Sequence, residues 1–474
     1  MAGDPSLTAL SACEVVDLLG RGEVTPLDCL DALEARTAAV DGAVNALPIL
    51  CFERARDRAR ELMRRPPGER GRLGGLPVPI KDLTDVAGVR TTYGSTIFAD
   101  FVSKTSDILV ETIEAEGGVI YAKSNTPEFG AGANTFNEVF GATLNPWNTD
   151  LSAAGSSGGA AAALATGMAW VAQGSDLGGS LRNPASFCGV VGLRPSPGRV
   201  ASNPGAKIDR LLGVKGPMGR TVEDTALLLD AMTGESLADP ISWPRTESFL
   251  AAAWSGWRPA RVAFSADLGI TPVDPEVASL CRAAAGRFTE FGTIVEEAHP
   301  DLSEAHDSFR VLRAMGFAMS YAGHLADHRD KMKPEVVGEI EQGLNTSMAD
   351  VVRAENQRAA MFRRMNAFFD SYDLLLCPAT IVAAYPVHER FVKECAGRTF
   401  SNYTEWLAIA YAITLTTSPA LSLPCGFTSD GRPVGLQIVG RARGEGRVLA
   451  GARFLEEVLG FRGLTPIDPP CCGM

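Results

Sequence analysis

From Leu7 to Leu62 apolar residues recur at helical spacing, and polar residues mark where each amphipathic helix opens. Ser11 starts one helix, and Thr25-Pro26 starts the next with proline in its first turn. Beyond them, Gly-Pro punctuation and short β-branched runs alternate with helical stretches. The Thr221-Val222-Glu223-Asp224 run caps an apolar helix from Ala226 to Met232. Residues 234–259 turn to loop composition, and Arg261-Val262-Ala263-Phe264 restarts a strand. Residues 272–372 are charged and helix-rich, whereas Leu374-Leu375-Leu376-Cys377-Pro378 and Ala420-Leu421-Ser422-Leu423-Pro424 predict buried strands ending at prolines. The weakly polar run from Gly158 to Gly174 is rich in small residues and is predicted to be a buried helix rather than a membrane span. There is no repeat or low-complexity tract. Strands alternating with helices imply an α/β layered fold.

Composition narrows the function. A chain of 474 residues, 46% hydrophobic, can bury a large core. Its net charge of −12 argues against a nucleic-acid or anionic-membrane surface, because neutralising phosphates needs clustered Lys and Arg. The opening Met1-Ala2-Gly3-Asp4-Pro5 lacks the charged and apolar parts of a secretory signal. Ten cysteines, from Cys13 to the vicinal Cys471-Cys472, show neither zinc spacing nor a small disulfide scaffold. Reduced thiols in a cytoplasm are the plain interpretation, with Cys188 in the core.

The chemistry concentrates in two glycine clusters that carry serines, Gly155-Ser156-Ser157-Gly158-Gly159 and Gly174-Ser175-Asp176-Leu177-Gly178-Gly179-Ser180-Leu181-Arg182. Consecutive glycines let backbone N–H groups approach a ligand closely. Amides from Leu177 to Ser180 could therefore converge on one oxygen and stabilise an acyl-transfer oxyanion. Upstream, Lys81 sits in the proline-stiffened run Leu76-Pro77-Val78-Pro79-Ile80-Lys81-Asp82 and is one of eight lysines. A lysine can deprotonate a serine only when it is neutral, which requires desolvation or nearby cations. The bland alternative is a loop lysine paired with Asp82 or Asp85.

Competing motifs are weaker. Gly155–Gly159 formally matches a nucleophile elbow with Ser157 as nucleophile. All five histidines (His299, His306, His324, His328, His388) lie downstream, but nothing local marks one as a base. His324 and His328, one helical turn apart, lack the intervening glutamate of a zinc helix and read as solvated. No P-loop and no S-x-x-K pattern is present.

The run from Gly155 through Gly174–Arg182 to Asn183-Pro184-Ala185-Ser186-Phe187-Cys188-Gly189-Val190-Val191-Gly192-Leu193-Arg194-Pro195 resembles the amidase signature. Pro79-Ile80-Lys81-Asp82, Asn145-Pro146-Trp147, Gly216–Asp224 and Gly435–Gly440 agree with it. The resemblance spans nearly the whole chain and is thinnest over about 240–370. It implies one compact domain over 1–474, with a central mixed sheet surrounded by helices. Within it, 1–65 would be N-terminal helices, 66–235 the signature core, 236–410 a substrate-covering region and 411–474 a return to the core sheet.

The same resemblance implies a Ser-cisSer-Lys triad: Ser180 as nucleophile, Ser156 as proton relay behind a cis peptide, and Lys81 as base. Leu177, Gly178, Gly179 and Ser180 would form the oxyanion hole. Ser157, Ser175, Asp176 and Arg182 would support the loop. Glu128, Phe129 and Gly130 would bind substrate, although Glu128 could equally fix a loop through a salt bridge. Ala154 and Ala160 stand where the family commonly has glycine and serine, and Leu177 replaces a threonine or isoleucine. The implied activity is hydrolysis of small or aryl amides, with carbamates (urethanes) included, by a cytoplasmic monomer or homodimer. It needs no cofactor, metal, nucleic acid or membrane. The alternatives are an amidotransferase A-type subunit that supplies ammonia from glutamine for tRNA-dependent amidation, and a non-catalytic scaffold.

Overall fold

Two sheets frame the molecule. The computed structural model describes residues 6–203, 205 and 211–470; the Met1–Pro5 stretch and the Cys471-Cys472 pair lie outside the described residues. The smaller sheet contains β1 (Ile49–Leu50), β2 (Pro77–Lys81) and β3 (Val119–Ser124) in the order β1-β3-β2. The larger contains β4 (Val171–Asp176), β5 (Val191–Arg194), β6 (Val214–Gly219), β7 (Arg261–Phe264), β8 (Ile294–Glu297), β9 (Leu374–Pro378), β10 (Ala420–Phe427) and β11 (Pro433–Val439). Its order is β8-β7-β9-β11-β10-β5-β6-β4. The β7–β8 and β7–β9 pairs are parallel and the rest antiparallel, so the sheet is mixed. Helices wrap both sheets into a single compact domain.

The N-terminal helices follow their sequence signals. In α1 (Ala12–Arg21) Ser11 and Glu14 form a reciprocal capping box. In α2 (Pro26–Val44) Thr25 and Asp28 do the same, with Pro26 in the first turn. The buried faces of both helices join the main apolar core with β2, β3 and the central sheet.

The run from Gly158 to Gly174 corrects the sequence reading. It divides into α3 (Gly158–Ala165), a turn, and β4. Gly167, at φ +74°, marks the break, and β-branched Val171 opens the strand. Small residues on every side of α3 let it lie wholly buried between the sheets. Two shorter differences stand beside this one. A helix at Phe249–Ala253 interrupts the 234–259 loops, and β10 continues past Pro424 through a bulge to Phe427.

After α4 (Arg182–Cys188), the 272–372 region is mostly helix as predicted, with β8 inserted. Its α5 (Ala305–His328) and α6 (Pro334–Leu344) form an antiparallel hairpin. A separate apolar cluster joins this hairpin to the core through Phe129, Ala131, Phe317, Met332, Val336 and Ile340. No helix among the described residues is long and apolar enough to cross a membrane.

Candidate active site

Pro79 has no N–H for the β2–β3 ladder, and the register shifts there between Val78 and Ile80. On its other flank, β2 meets β4 through a side chain: the Lys81 N–H donates to Gln173 Oε1 at 3.0 Å. This junction carries Lys81, wholly buried, to Ser156 and Ser157 of the first glycine cluster and Ser175 of the second. Lys81 Nζ lies 2.7 Å from Ser156 Oγ, 2.9 Å from Ser157 Oγ and 3.1 Å from Ser175 Oγ. The Gly155–Ser156 peptide is cis, and α3 begins directly after Ser157.

Burial holds the Lys81 amine well below the usual lysine range of 10.5; the positive charge of Lys215 adds to this, and Asp176 opposes it. The remaining hydroxyls are ordered by backbone. The Ser157 hydroxyl donates to the Ser175 carbonyl at 3.3 Å, and the Ser157 N–H donates to the Ser180 carbonyl at 3.2 Å.

Asp176 organises the loop bearing Ser180. Its Oδ1 accepts from the Gly179 N–H (3.0 Å) and Arg182 Nη2 (2.8 Å), and its Oδ2 from the Leu181 N–H (3.0 Å) and Arg182 Nε (3.1 Å). Arg194 approaches Oδ1 at 3.3 Å. Burial alone would raise this carboxyl, but the charges of Arg182 and Arg194 outweigh it and hold Asp176 well below the carboxylate range. Arg182 extends the brace to the Ala410 carbonyl and Gln437 Oε1. Gly174 admits no side chain, since a Cβ would sit 2.6 Å from Leu181 and 2.9 Å from Ser157 Oγ.

A cavity of about 330 Å³ opens over these groups, with Ser156, Ser175, Leu177, Gly178 and Ser180 in its wall. Phe129 and Gly130 line it from below, and Phe309, Arg313 and Phe317 of α5 roof it. It shares Leu83, Phe129, Ser175 and Lys215 with a second cleft of about 410 Å³ walled by Tyr93, Phe98, Phe101, Tyr321 and His324. In that cleft Phe129 stacks on Tyr321 at 4.3 Å, and Phe98 stands edge-on to Phe129 and His324.

Several sequence expectations change. Glu128 does not line the cavity over the serines. It accepts from the Ser95 hydroxyl and the Lys333 N–H, both at 2.6 Å, and so ties the 128–130 turn to α6 as a loop-fixing group. The Gly179 amide is engaged by Asp176, which narrows the expected oxyanion donors to the amides of Leu177, Gly178 and Ser180. Lys81 is not paired with Asp82, because that carboxylate bonds Lys123 (3.1 Å) and Thr92. His324 is half-buried, edge-on to Phe98 in the wall of the second cleft, and none of the five histidines lines the serine cavity. Cys13, Glu223 and Asp224 bring donor atoms within 4.8 Å of one another. The protein itself serves this group, through an Arg462–Glu223 ion pair and a Cys13 N–H bond to Asp224.

The sequence reading missed Lys123, Gln173, Lys215 and the aromatic cleft. Lys215 comes into the site only through the antiparallel register of β4 and β6, which sets it opposite Ser175.

The family model for amidases matches residues 28–449. An acylamidase of Rhodococcus erythropolis is 36% identical over 98% of both chains. The A component of the glutamyl-tRNA(Gln) amidotransferase of Moorella thermoacetica is 34% identical over 96% of this chain and 98% of its own. Among solved structures, a bacterial aryl acylamidase superposes with a TM-score of 0.89 at 27% identity, covering 97% of this chain and 99% of the other. A 6-aminohexanoate cyclic dimer hydrolase reaches 0.87 at 27% identity, with the same two coverages.

Proposed function

Because this chain belongs to the amidase signature family and is a hydrolase of non-peptide carbon–nitrogen bonds, we propose that it cleaves aryl and other small acyl amides through an acyl-enzyme on Ser180. The observation that carries this reading is the 2.7 Å contact between the wholly buried Lys81 Nζ and Ser156 Oγ, which lines the cavity. A neutral amine has two N–H donors and one lone pair. The Ser157 hydroxyl already donates to the Ser175 carbonyl, so it accepts from Lys81. If Ser175 accepts as well, the lone pair is left for the Ser156 proton. Ser156 then takes the proton of Ser180 as Ser180 attacks the carbonyl.

Negative charge developing on the substrate oxygen meets the amides of Leu177, Gly178 and Ser180. The leaving nitrogen needs a proton, and Ser156 returns it by the same path. Water activated through that relay releases the acid and restores Ser180. Every proton therefore moves among Lys81, Ser156, Ser180, the substrate and that water. Asp176 and Arg182 hold the Ser180 loop, and Ser157 and Ser175 orient the amine.

The aromatic cleft favours a substrate carrying an arene, since its wall is built from rings and, among the described residues, contains no carboxylate. Carbamates share the planar acyl carbon and amine leaving group and fit the same apparatus. The amidotransferase-type relative supports a second reading, glutamine hydrolysis. One experiment separates them: amine release from an anilide and from an N-aryl carbamate sharing that amine, with wild type, Ser180→Ala and a glutamine control. Release from the anilide, lost in Ser180→Ala, supports the proposal, and parallel release from the carbamate extends it to urethanes. Glutamine hydrolysis with silence on both aryl substrates overturns it.

A further inference from the structure

We propose that Lys215 is a positioning residue that acts on the reaction through Lys81, its ammonium charge holding the buried amine in the proton-accepting form. The inference rests on Lys81 being the base, and it adds the group that makes a lysine usable as one.

The geometry comes from the sheet. In the β4–β6 ladder Lys215 stands directly opposite Ser175, and directly paired residues project from the same face with Cβ atoms about 5 Å apart. Ser175 Oγ is itself 3.1 Å from Lys81 Nζ. Lys215 Nζ donates to Thr84 Oγ1 at 2.7 Å, and the Thr84 N–H donates to the Lys81 carbonyl at 3.0 Å. The Lys215 side chain is thus tethered to the segment that carries Lys81, and it lines the same cavity as Ser156 and Ser180. Two like charges facing one cavity disfavour each other, and the buried member is the one that loses its proton.

Charged groups also face this region from the neighbouring elements. Asp176 at the end of β4 bonds Arg182 of α4 and Arg194 of β5. Asp82, which follows β2, bonds Lys123 of β3. Across the cavity Arg313 of α5 pairs with Glu339 of α6, and the Asp107 carboxylate caps the helix that begins at Ile108. The α3 segment packed against Lys81 carries no charged residue. The Lys215 charge acts on Lys81 in the direction the reaction needs, alongside burial and against Asp176.

The test is the acidic limb of kcat/KM against pH, measured on a neutral amide with wild type, Lys215→Met, Lys215→Gln and Lys215→Arg, and Lys81→Ala as reference. Losing the cation lets Lys81 hold its proton to higher pH. The limb should therefore move up by about one unit in Lys215→Met and Lys215→Gln, a loss of about tenfold at pH below the limb. The alkaline plateau and KM should change far less, and Lys215→Arg should bring the limb back. Gln keeps a donor for Thr84, which separates the charge from the tether if the Met variant folds poorly. An unmoved limb, or a uniform rise in KM at every pH with no limb shift, overturns the proposal and makes Lys215 a scaffold or substrate contact. Near-full activity in Lys81→Ala would instead overturn the lysine-base reading itself, so the two failures are distinguishable.

Discussion

Replacing Asp176 with asparagine keeps the side-chain shape and removes one charge, at a position where both oxygens are already committed. Oδ1 takes the Gly179 N–H, Arg182 and Arg194; Oδ2 takes the Leu181 N–H and Arg182 Nε. An amide offers a single oxygen, so its NH₂ must face at least two donors whichever way it turns. Breaking a buried ion pair by neutralising one partner costs about 3–5 kcal/mol. Unfolding entropy of about 2.1 cal/mol/K per residue gives about 1 kcal/mol/K for a chain of this length, so Tm should fall by about 3–5 °C. Activity should fall much further, because the same bonds aim the loop between Gly179 and Leu181; a misplaced oxyanion donor costs about 10²–10³ in kcat. The pH dependence has a definite sign. Asp176 is held below its ordinary value of 3.8, so its stabilisation is complete above that value and is lost as pH falls through the lower, folded-state value. The stability gap between wild type and variant should therefore be constant near neutrality and close only in strong acid. Thermal and urea unfolding with parallel initial rates on an anilide measure all three effects. A variant within threefold of wild-type kcat and within about 1 °C in Tm would refute the role given to Asp176.

Further outcomes follow from the same geometry. Lys81 is held below 10.5 in the folded state, so the unfolded chain binds the extra proton between the two values. The stability of wild type relative to Lys81→Met should accordingly rise with pH across that window, by up to about 1.4 kcal/mol per unit; urea midpoints at several pH values read this, and a falling difference contradicts a neutral amine. Ser180→Ala and Lys81→Met should each cut turnover to a similar small residual rate, and the double variant should be no worse than either alone if the residues act as one proposed relay. Gly179→Ala, with φ at +110° and a Cβ only 2.5 Å from Asn183 Oδ1, should lose both activity and thermal stability in the same preparation. Phe98→Ala or Tyr321→Ala should cut kcat/KM about three- to tenfold on aryl amides, the size of one aromatic pair, while sparing a small aliphatic amide.

Local chemistry was readable from the sequence because it is written in short range. The glycine clusters, the stiff run before Lys81 and the Ser11 and Thr25 caps all act on residues a few positions away. The Arg261–Phe264 and Leu374–Pro378 strands were legible for the same reason, each a short apolar run bounded by punctuation. The Gly158–Gly174 run differed because its small, weakly polar residues give no clear polar phase to distinguish a period of 3.6 from one of 2. The partners of Glu128 and Gly179 were not legible, because Lys333 lies far along the chain and the Asp176 bond depends on how its own loop folds. The aromatic cleft could not be seen at all, since Phe98 and Tyr321 are brought together only by the α5–α6 hairpin closing over the core. Lys215 required the register between two strands, which composition does not encode.

Floor and roof of the cavity come from different parts of the chain. Lys81 and its serine partners sit between β2, β4 and α3, where a Cβ on Gly174 would meet Leu181 and the Ser157 hydroxyl. The covering surface is a helical hairpin whose α5 residues Phe309, Arg313, Phe317 and Tyr321 line the void, with Phe309 also lying against Gly178. Mutational tolerance is therefore partitioned by architecture. A lineage can exchange wall residues of this hairpin and alter which substrates fit while leaving the Lys81 contacts with Ser156 and Ser157 in place, and a library confined to Phe317 and Tyr321 changes the wall alone.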